Sequence, residues 1–130
     1  MSVSGAMYTS ANALNAFGVG TQVIAHNLAN VLTNGFKSSR TMYYDLPAQA
    51  GTAATTQKLF SPTGPLIPAQ GLPPNPNSSP LTPPGFVEGS NTDIATEMVG
   101  LIVTSRAYQA NAKVVPTVDA MLGTIINIRV

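Results

Sequence analysis

Residues 24–40 read IAHNLANVLTNGFKSSR. The run begins as the apolar face of a helix, places Asn27, Asn30 and Asn34 around the single histidine, His26, and closes on Asn34-Gly35. Asn and Gly tolerate positive φ better than other residues, so Asn34-Gly35 is a turn signal. Asn27 and Asn30 stand one helical step apart, with Asn34 one further step along, which makes an amide ladder on one side of a helix end. Amides suit a buried, uncharged, directional contact, made either to the chain's own loop or to an adjacent subunit. Phe36 returns an apolar anchor after the turn. The segment reads as a helix being stopped and fastened rather than as an active site.

Working outward toward the N-terminus, Val3, Met7, Leu14, Phe17, Ile24, Leu28 and Val31 recur at helical spacing, with Ser10 and Thr21 filling the gaps in the stripe. An amphipathic helix over residues 1–31 is predicted. Gly18 and Gly20 interrupt it, each costing about 1 kcal/mol against Ala in a helix. They mark either a weak point or a close approach by a neighbouring helix.

Toward the C-terminus, residues 47–85 hold ten of the eleven prolines, including LPPNPNSSPLTPPG at 72–85, and Lys58 is the only charge there. Proline at that density predicts extended, polyproline-like or irregular chain. Its PxxP matches lack a flanking arginine, so a spacer between two helices is the expectation. Beyond it, Ile94, Met98, Leu101, Ser105, Tyr108, Ala112, Val115, Asp119, Leu122 and Ile126 follow a heptad. Asn91, Thr92 and Asp93 supply N-cap chemistry, and Glu97 suits the positive end of the helix dipole. Ile102, Val103, Val118, Ile125 and Ile128 lie off that stripe, so the apolar surface is wider than one partner helix can cover. Pro116 removes a hydrogen bond inside the pattern and predicts a kink or a break into two helices.

The fold class expected is mainly α: N- and C-terminal helices paired as a coiled-coil-like hairpin, joined by a long Pro-rich irregular or extended segment. The divisions are 1–46 for the first helix and turn, 47–86 for the connection and 87–130 for the second helix, together one domain at 130 residues. Charged residues make up 8% of the chain, against about a quarter in ordinary soluble domains. With 44% hydrophobic residues, such a composition suits a surface covered by other chains. A net charge of +1 gives no case for nucleic acid, and no apolar run reaches the ~18 residues of a membrane span.

Catalysis is not expected. Cysteine is absent, which excludes disulfides and thiolate metal sites. His26 has no carboxylate within a helical turn, so neither a triad nor a two-histidine metal site can be drawn. The serines lack a G-x-S-x-G setting, and no phosphate loop or dinucleotide fingerprint occurs. No cofactor or metal is implied. The N-terminus has neither the basic region nor the unbroken apolar core of a signal peptide.

The run AHNLANVLTNGFKSSR resembles the N-terminal signature of bacterial flagellar basal-body rod and hook proteins, and SNTDIATEMVGLIVTSRAYQANAKVV resembles their C-terminal helix, with residues 107–111 (AYQAN) its most recognisable core. The resemblance spans residues 8–46 and 86–130. It implies an axial protein of the flagellum basal body, in the periplasmic rod, exported by the flagellar type III apparatus without signal cleavage. It also implies terminal helices that pair and polymerise, with copies of itself and neighbouring rod and hook proteins, into a torque-transmitting tube. Relatives of the distal type carry a large β-rich domain between the helices, where this chain has its Pro-rich segment. On that reading the seam between copies is expected to use Phe17, Ile24, Leu28, Leu101, Tyr108, Val115 and Leu122, with Asn27, Asn30, Asn34 and Asn111 as polar fastenings. The alternative of a different class is a non-polymerising adaptor that binds rod subunits or the export machinery through the same helices.

Overall fold

The computed structural model describes residues 3–60, 63–69, 71, 80, 82–83 and 85–128. Helix α1 runs over Val3–Ala29. Strand β1 (Ser39–Leu46) and strand β2 (Gly51–Lys58) form an antiparallel hairpin around a short 3-10 turn at Pro47–Gln49. Strand β3 (Leu66–Pro68) pairs antiparallel with strand β4 (Phe86–Glu88). Helix α2 then runs over Ile94–Asn127.

This architecture corrects the expected fold class. The two helices do touch along their lengths, but the chain between them is not an irregular spacer, and the class is mixed α and β. The physical reason lies in where the prolines begin. Residues 48–61 contain none, and the stretches SRTMYYDL and GTAATTQK are rich in the β-branched and aromatic side chains that fit a pleated surface. Tyr43 sits opposite Ala54 and Met42 opposite Thr55 in the resulting ladder. Pro68 is tolerated at the end of a three-residue edge strand, where a missing N–H costs nothing. Most of residues 72–85, for which polyproline-like chain was expected, lie outside the described residues.

Of the kink or break expected at Pro116, the break into two helices does not occur, since α2 passes through it as one helix. Pro116 is on the exposed side, where water can serve the carbonyl that loses its partner, and the Thr117 hydroxyl donates to Lys113 O at 2.9 Å on the same turn. Asp93 is the N-cap: its carboxylate accepts from the N–H groups of Ala95 and Thr96.

The helices run antiparallel in one register, with Gly20 beside Thr104, Ile24 beside Gly100 and Asn27 beside Glu97. Extending that register at 1.5 Å per residue brings the start of α1 level with roughly residue 121 of α2. The last turns of α2 therefore project beyond α1, and Ile125, Ile126 and Ile128 are 55%, 76% and 75% exposed. The seam pairs a small residue with each larger one, Gly20 with Thr104 and Gly100 with Ile24. Ser10, Ala13, Ala16, Gly20 and Asn27 are the buried positions of α1, between α2 and the hairpin, and Thr104 and Val118 those of α2.

Gly20 explains one of the two helix glycines. A Cβ there would collide with the hydroxyl of Tyr43 and press on Thr104 Cγ2 at 3.3 Å. The close approach is made by the hairpin as well as by the second helix, and the Tyr43 ring also packs against Phe17 at a 51° tilt with ring centroids 5.4 Å apart. Gly18 has open space around it. The tip of the hairpin is held to α1 by Asn12 Nδ2, which donates to Ala50 O at 2.8 Å.

Candidate functional site

Two features stand out once the fold is assembled: a polar clasp that locks the helix ends together, and apolar flanks of α2 that the described chain leaves partly or largely exposed. The clasp starts at Asn27, which is 1% exposed. Its amide pairs with the backbone of Ser39 as a neighbouring strand would, Oδ1 accepting from Ser39 N–H at 2.8 Å and Nδ2 donating to Ser39 O at 2.7 Å. The second Nδ2 proton goes to Glu97 Oε1 on α2 at 2.8 Å. One side chain thus joins α1, β1 and α2 with its full donor capacity.

Asn91 repeats the arrangement from the other side. Its Oδ1 accepts from Ser38 N–H at 2.6 Å, its Nδ2 donates to Leu59 O at 3.1 Å, and its backbone N–H donates to Phe36 O at 3.2 Å. Beneath it lies an ion pair between Lys37 and Glu88. Glu88 is 0% exposed and Lys37 6%. Gly64 N–H donates to the same carboxylate at 2.8 Å, and Gly35 N–H to the Glu88 backbone carbonyl at 2.6 Å. Breaking such a pair leaves a charge stranded out of water, which is why its partners matter more than its net strength.

Glu97 is held above the usual carboxylate range, chiefly because burial disfavours its charge, with the Asn27 hydrogen bond and Arg40 pulling the other way and Asp93 adding to the rise. Asp93 is held below it by the side-chain hydrogen bond from Thr96 and the two cap N–H groups. Glu97 and Arg40 border an open cleft of about 440 Å³, whose wall includes Ile24, Tyr43, Leu59 and Gly100. Among the described residues no three His, Asp or Glu side chains converge as metal ligands, and no described helix is long and apolar enough to cross a membrane.

The flanks follow from the seam. Facing α1, α2 presents Glu97, Gly100, Thr104, Asn111 and Val118. To one side of that line run Val99, Val103, Val114, Met121 and Ile125, which are 62%, 62%, 38%, 52% and 55% exposed. To the other side run Ile94, Met98, Leu101, Tyr108, Val115 and Leu122, of which Ile94, Met98 and Tyr108 are 52%, 43% and 44% exposed. Arg106, Gln109 and Lys113 occupy the back. The outward face of α1 is mostly small and polar, with Tyr8 its one exposed large apolar side chain.

The residues expected at a seam between copies are therefore divided. Leu101, Tyr108, Val115 and Leu122 line one flank of α2, partly open to solvent. Phe17 is turned to Tyr43 within the chain, and Ile24 to Gly100. Leu28 is half-buried. Of the amides, Asn27 is engaged inside the chain. Asn30 bonds its own helix end, donating to His26 O at 2.9 Å and accepting from Thr33 Oγ1 at 3.2 Å. Asn111 donates to Ala107 O one turn back, and Asn34 lies exposed at the turn. His26 packs its ring edge-on against Phe36 at 5.4 Å. Lys37 and Glu88 have no role in the sequence-based expectations, and Asn91, expected as cap chemistry, instead bonds Ser38 and Leu59. The one signal for the Lys37–Glu88 pair is that Glu88 is the only acid between Asp45 and Asp93 in a chain sparing with charge.

Residues 84–128 match the family model described as flagellar basal body rod FlgEFG protein C-terminal. The flagellar hook protein FlgE of Escherichia coli strain K12 is 44% identical over 45 residues, covering 35% of this chain and 11% of that protein. The flagellar basal-body rod protein FlgG of Borreliella burgdorferi is 49% identical over 45 residues, 35% of this chain and 17% of the relative. FlgG of Agrobacterium fabrum is 36% identical over 81 residues, 59% of this chain and 29% of the relative. In each case the match spans less than a third of the relative's length.

Proposed function

We propose that this chain, which belongs through its C-terminal segment to the flagellar basal-body rod and hook family, is a structural subunit of the basal-body rod that assembles through its helices with copies of itself and with neighbouring rod and hook proteins. The observation that carries the reading is the pair of apolar flanks on α2. Large side chains that would ordinarily form the core of a helix pair are displaced outward by a small-residue seam, and they make two parallel stripes on either side of α1. A helix apolar on several sides is built to be buried by several neighbours. At about 25 cal/mol for each Å² of apolar surface removed from water, two long stripes supply a cooperative drive for assembly. The output would be mechanical, a stiff tube that transmits torque, reached by way of the flagellar type III export apparatus and residing in the periplasm.

The test is quantitative mass spectrometry of purified hook–basal bodies. Several copies of the chain per particle are expected. Its absence from intact particles, in cells that make and export it, would overturn the structural reading and favour an adaptor that uses the same helices only in transit.

A further inference from the structure

The turn that ends α1 carries a reactive dipeptide that neither the clasp nor the assembly surface explains. Asn34 is the only asparagine followed by glycine. In such a pair the backbone nitrogen of the glycine can attack the asparagine side-chain carbonyl, because no side chain on the second residue blocks the approach. Asn34 itself is exposed, whereas Gly35 is buried in a left-handed conformation at φ 69°. The nitrogen that would attack is bound: Gly35 N–H donates to Glu88 O at 2.6 Å, across 53 residues of sequence. The next residue is held as well, since Phe36 O accepts from Asn91 N–H at 3.2 Å and Phe36 N–H donates to Thr33 O at 3.1 Å.

We propose that Asn34 is a site of spontaneous deamidation and that the docked segment around Glu88 and Asn91 holds it shut. In the reaction the Gly35 nitrogen forms a bond to Asn34 Cγ and the Cγ–Nδ2 bond breaks. The amide proton of Gly35 departs with the leaving nitrogen as ammonia, and a cyclic imide remains. Water then opens the ring at either carbonyl, giving aspartate or isoaspartate, and no oxidant or cofactor enters. Either product adds a negative charge at the turn. Isoaspartate also lengthens the main chain by one methylene between residues 34 and 35, which moves Gly35 N–H off Glu88 O and Phe36 O off Asn91 N–H. The reaction therefore proceeds through chains in which the C-terminal segment has come away from the turn, and once it has occurred the segment cannot re-dock in the same register. The device makes the age of an unclasped chain irreversible. It stands independently of the rod assignment.

The experiment is peptide mass mapping of the purified full-length chain, held at mildly alkaline pH and 37 °C in buffer and, in parallel, in strong urea, with ¹⁸O-labelled water to mark each hydrolysis. Conversion at Asn34 is expected to be at least about ten-fold slower in the folded chain, since only open molecules react. In urea it should outpace every other asparagine and should slow sharply in Gly35→Ala, which obstructs the attacking nitrogen. Asn91→Ala, which leaves residues 34 and 35 intact, should raise the rate in buffer toward that in urea. The isoaspartate fraction, refolded, should melt at a lower temperature than the unmodified chain. Equal rates for the wild-type chain in buffer and in urea would overturn the protection, and a Gly35→Ala variant reacting at the wild-type rate in urea would overturn the chemistry. These two comparisons decide the matter even if Asn91→Ala does not fold.

Discussion

The inner line of α2 and its two flanks belong to one helix yet are made of opposite materials. Against α1 it offers Thr104 where α1 has Gly20, and Gly100 where α1 has Ile24. On the flanks it offers Val103, Met121 and Ile125 on one side and Ile94, Met98 and Tyr108 on the other, all of them more than 40% exposed. Small side chains let two backbones approach closely and gain contact over many atoms, each worth little alone. They bury little apolar area, so the helix pair cannot rest on the hydrophobic effect at its seam. The deficit is made up at one end by the polar clasp, where Asn27, Asn91 and the Lys37–Glu88 pair fix the register. Specificity within the chain and the proposed adhesion between chains thus fall on different surfaces.

The largest losses are expected at the clasp. Glu88→Ala leaves Lys37 buried without a counter-charge and is expected to cost ~3–5 kcal/mol, read as a drop in the urea midpoint. Replacing both members, Lys37→Met with Glu88→Leu, should recover most of that loss. A double variant as unstable as the single one would show that the pair is needed for more than charge balance. Asn27→Ala should come next, at about 1–3 kcal/mol, because it leaves the half-buried Ser39 N–H and carbonyl groups without their side-chain partner. Asn27→Asp keeps the acceptor but sets a charge beside Glu97, and should be no better.

A pH series sharpens the same end of the molecule. Glu97 has its folded-state pKa raised above 4.5 by burial, so the folded chain holds this proton more tightly than the unfolded one. The stability it contributes is fully present below the unfolded value and is lost as pH climbs through the folded value. Glu97→Gln keeps an acceptor for Asn27 and removes the titration, so its stability relative to wild type should grow with pH across that window. A constant difference between the two from acid to neutral pH would dissociate Glu97 from the clasp. Asp93 runs the other way: its pKa is lowered by the Thr96 and cap hydrogen bonds, and its contribution is lost as pH falls through the folded value.

The glycines separate the seam from open helix surface. Gly18→Ala should stabilise by about 0.5–1 kcal/mol, since helix propensity rises and nothing stands in the way. Gly20→Ala should gain less or nothing, because Tyr43 must swing aside. Smallest of all in stability should be the flank variants Val103→Asp and Met98→Asp, within about 0.5 kcal/mol of wild type in the isolated chain. Their effect should appear in assembly instead, as loss of incorporation into basal bodies at normal secretion. Normal motility with either variant would remove that flank from the proposed interface.

Much of this was legible one residue at a time. The ends of both helices, the cap chemistry before α2, the turn at Asn34-Gly35 and the excess apolar width of α2 all follow from spacing and side-chain type, because they depend on neighbours within a turn or two. The seam was displaced by about one position on each helix, since hydrophobic periodicity finds the largest side chains and the helices here meet through the smallest. Strand β2 was obscured because the prolines at 47 and from 62 onward give residues 47–85 a Pro-rich character although 48–61 contain none, and β1 lies in the stretch assigned with the first helix and its turn. Local chemistry, set by dihedral preference and capping, thus lay within the reach of sequence. Which face of each helix turns inward, what Tyr43 fills, and that Lys37 should meet Glu88 across 51 residues were decided only by tertiary structure, because those contacts depend on how the helices, the hairpin and the β3–β4 pair close on one another, and no local preference specifies that closure.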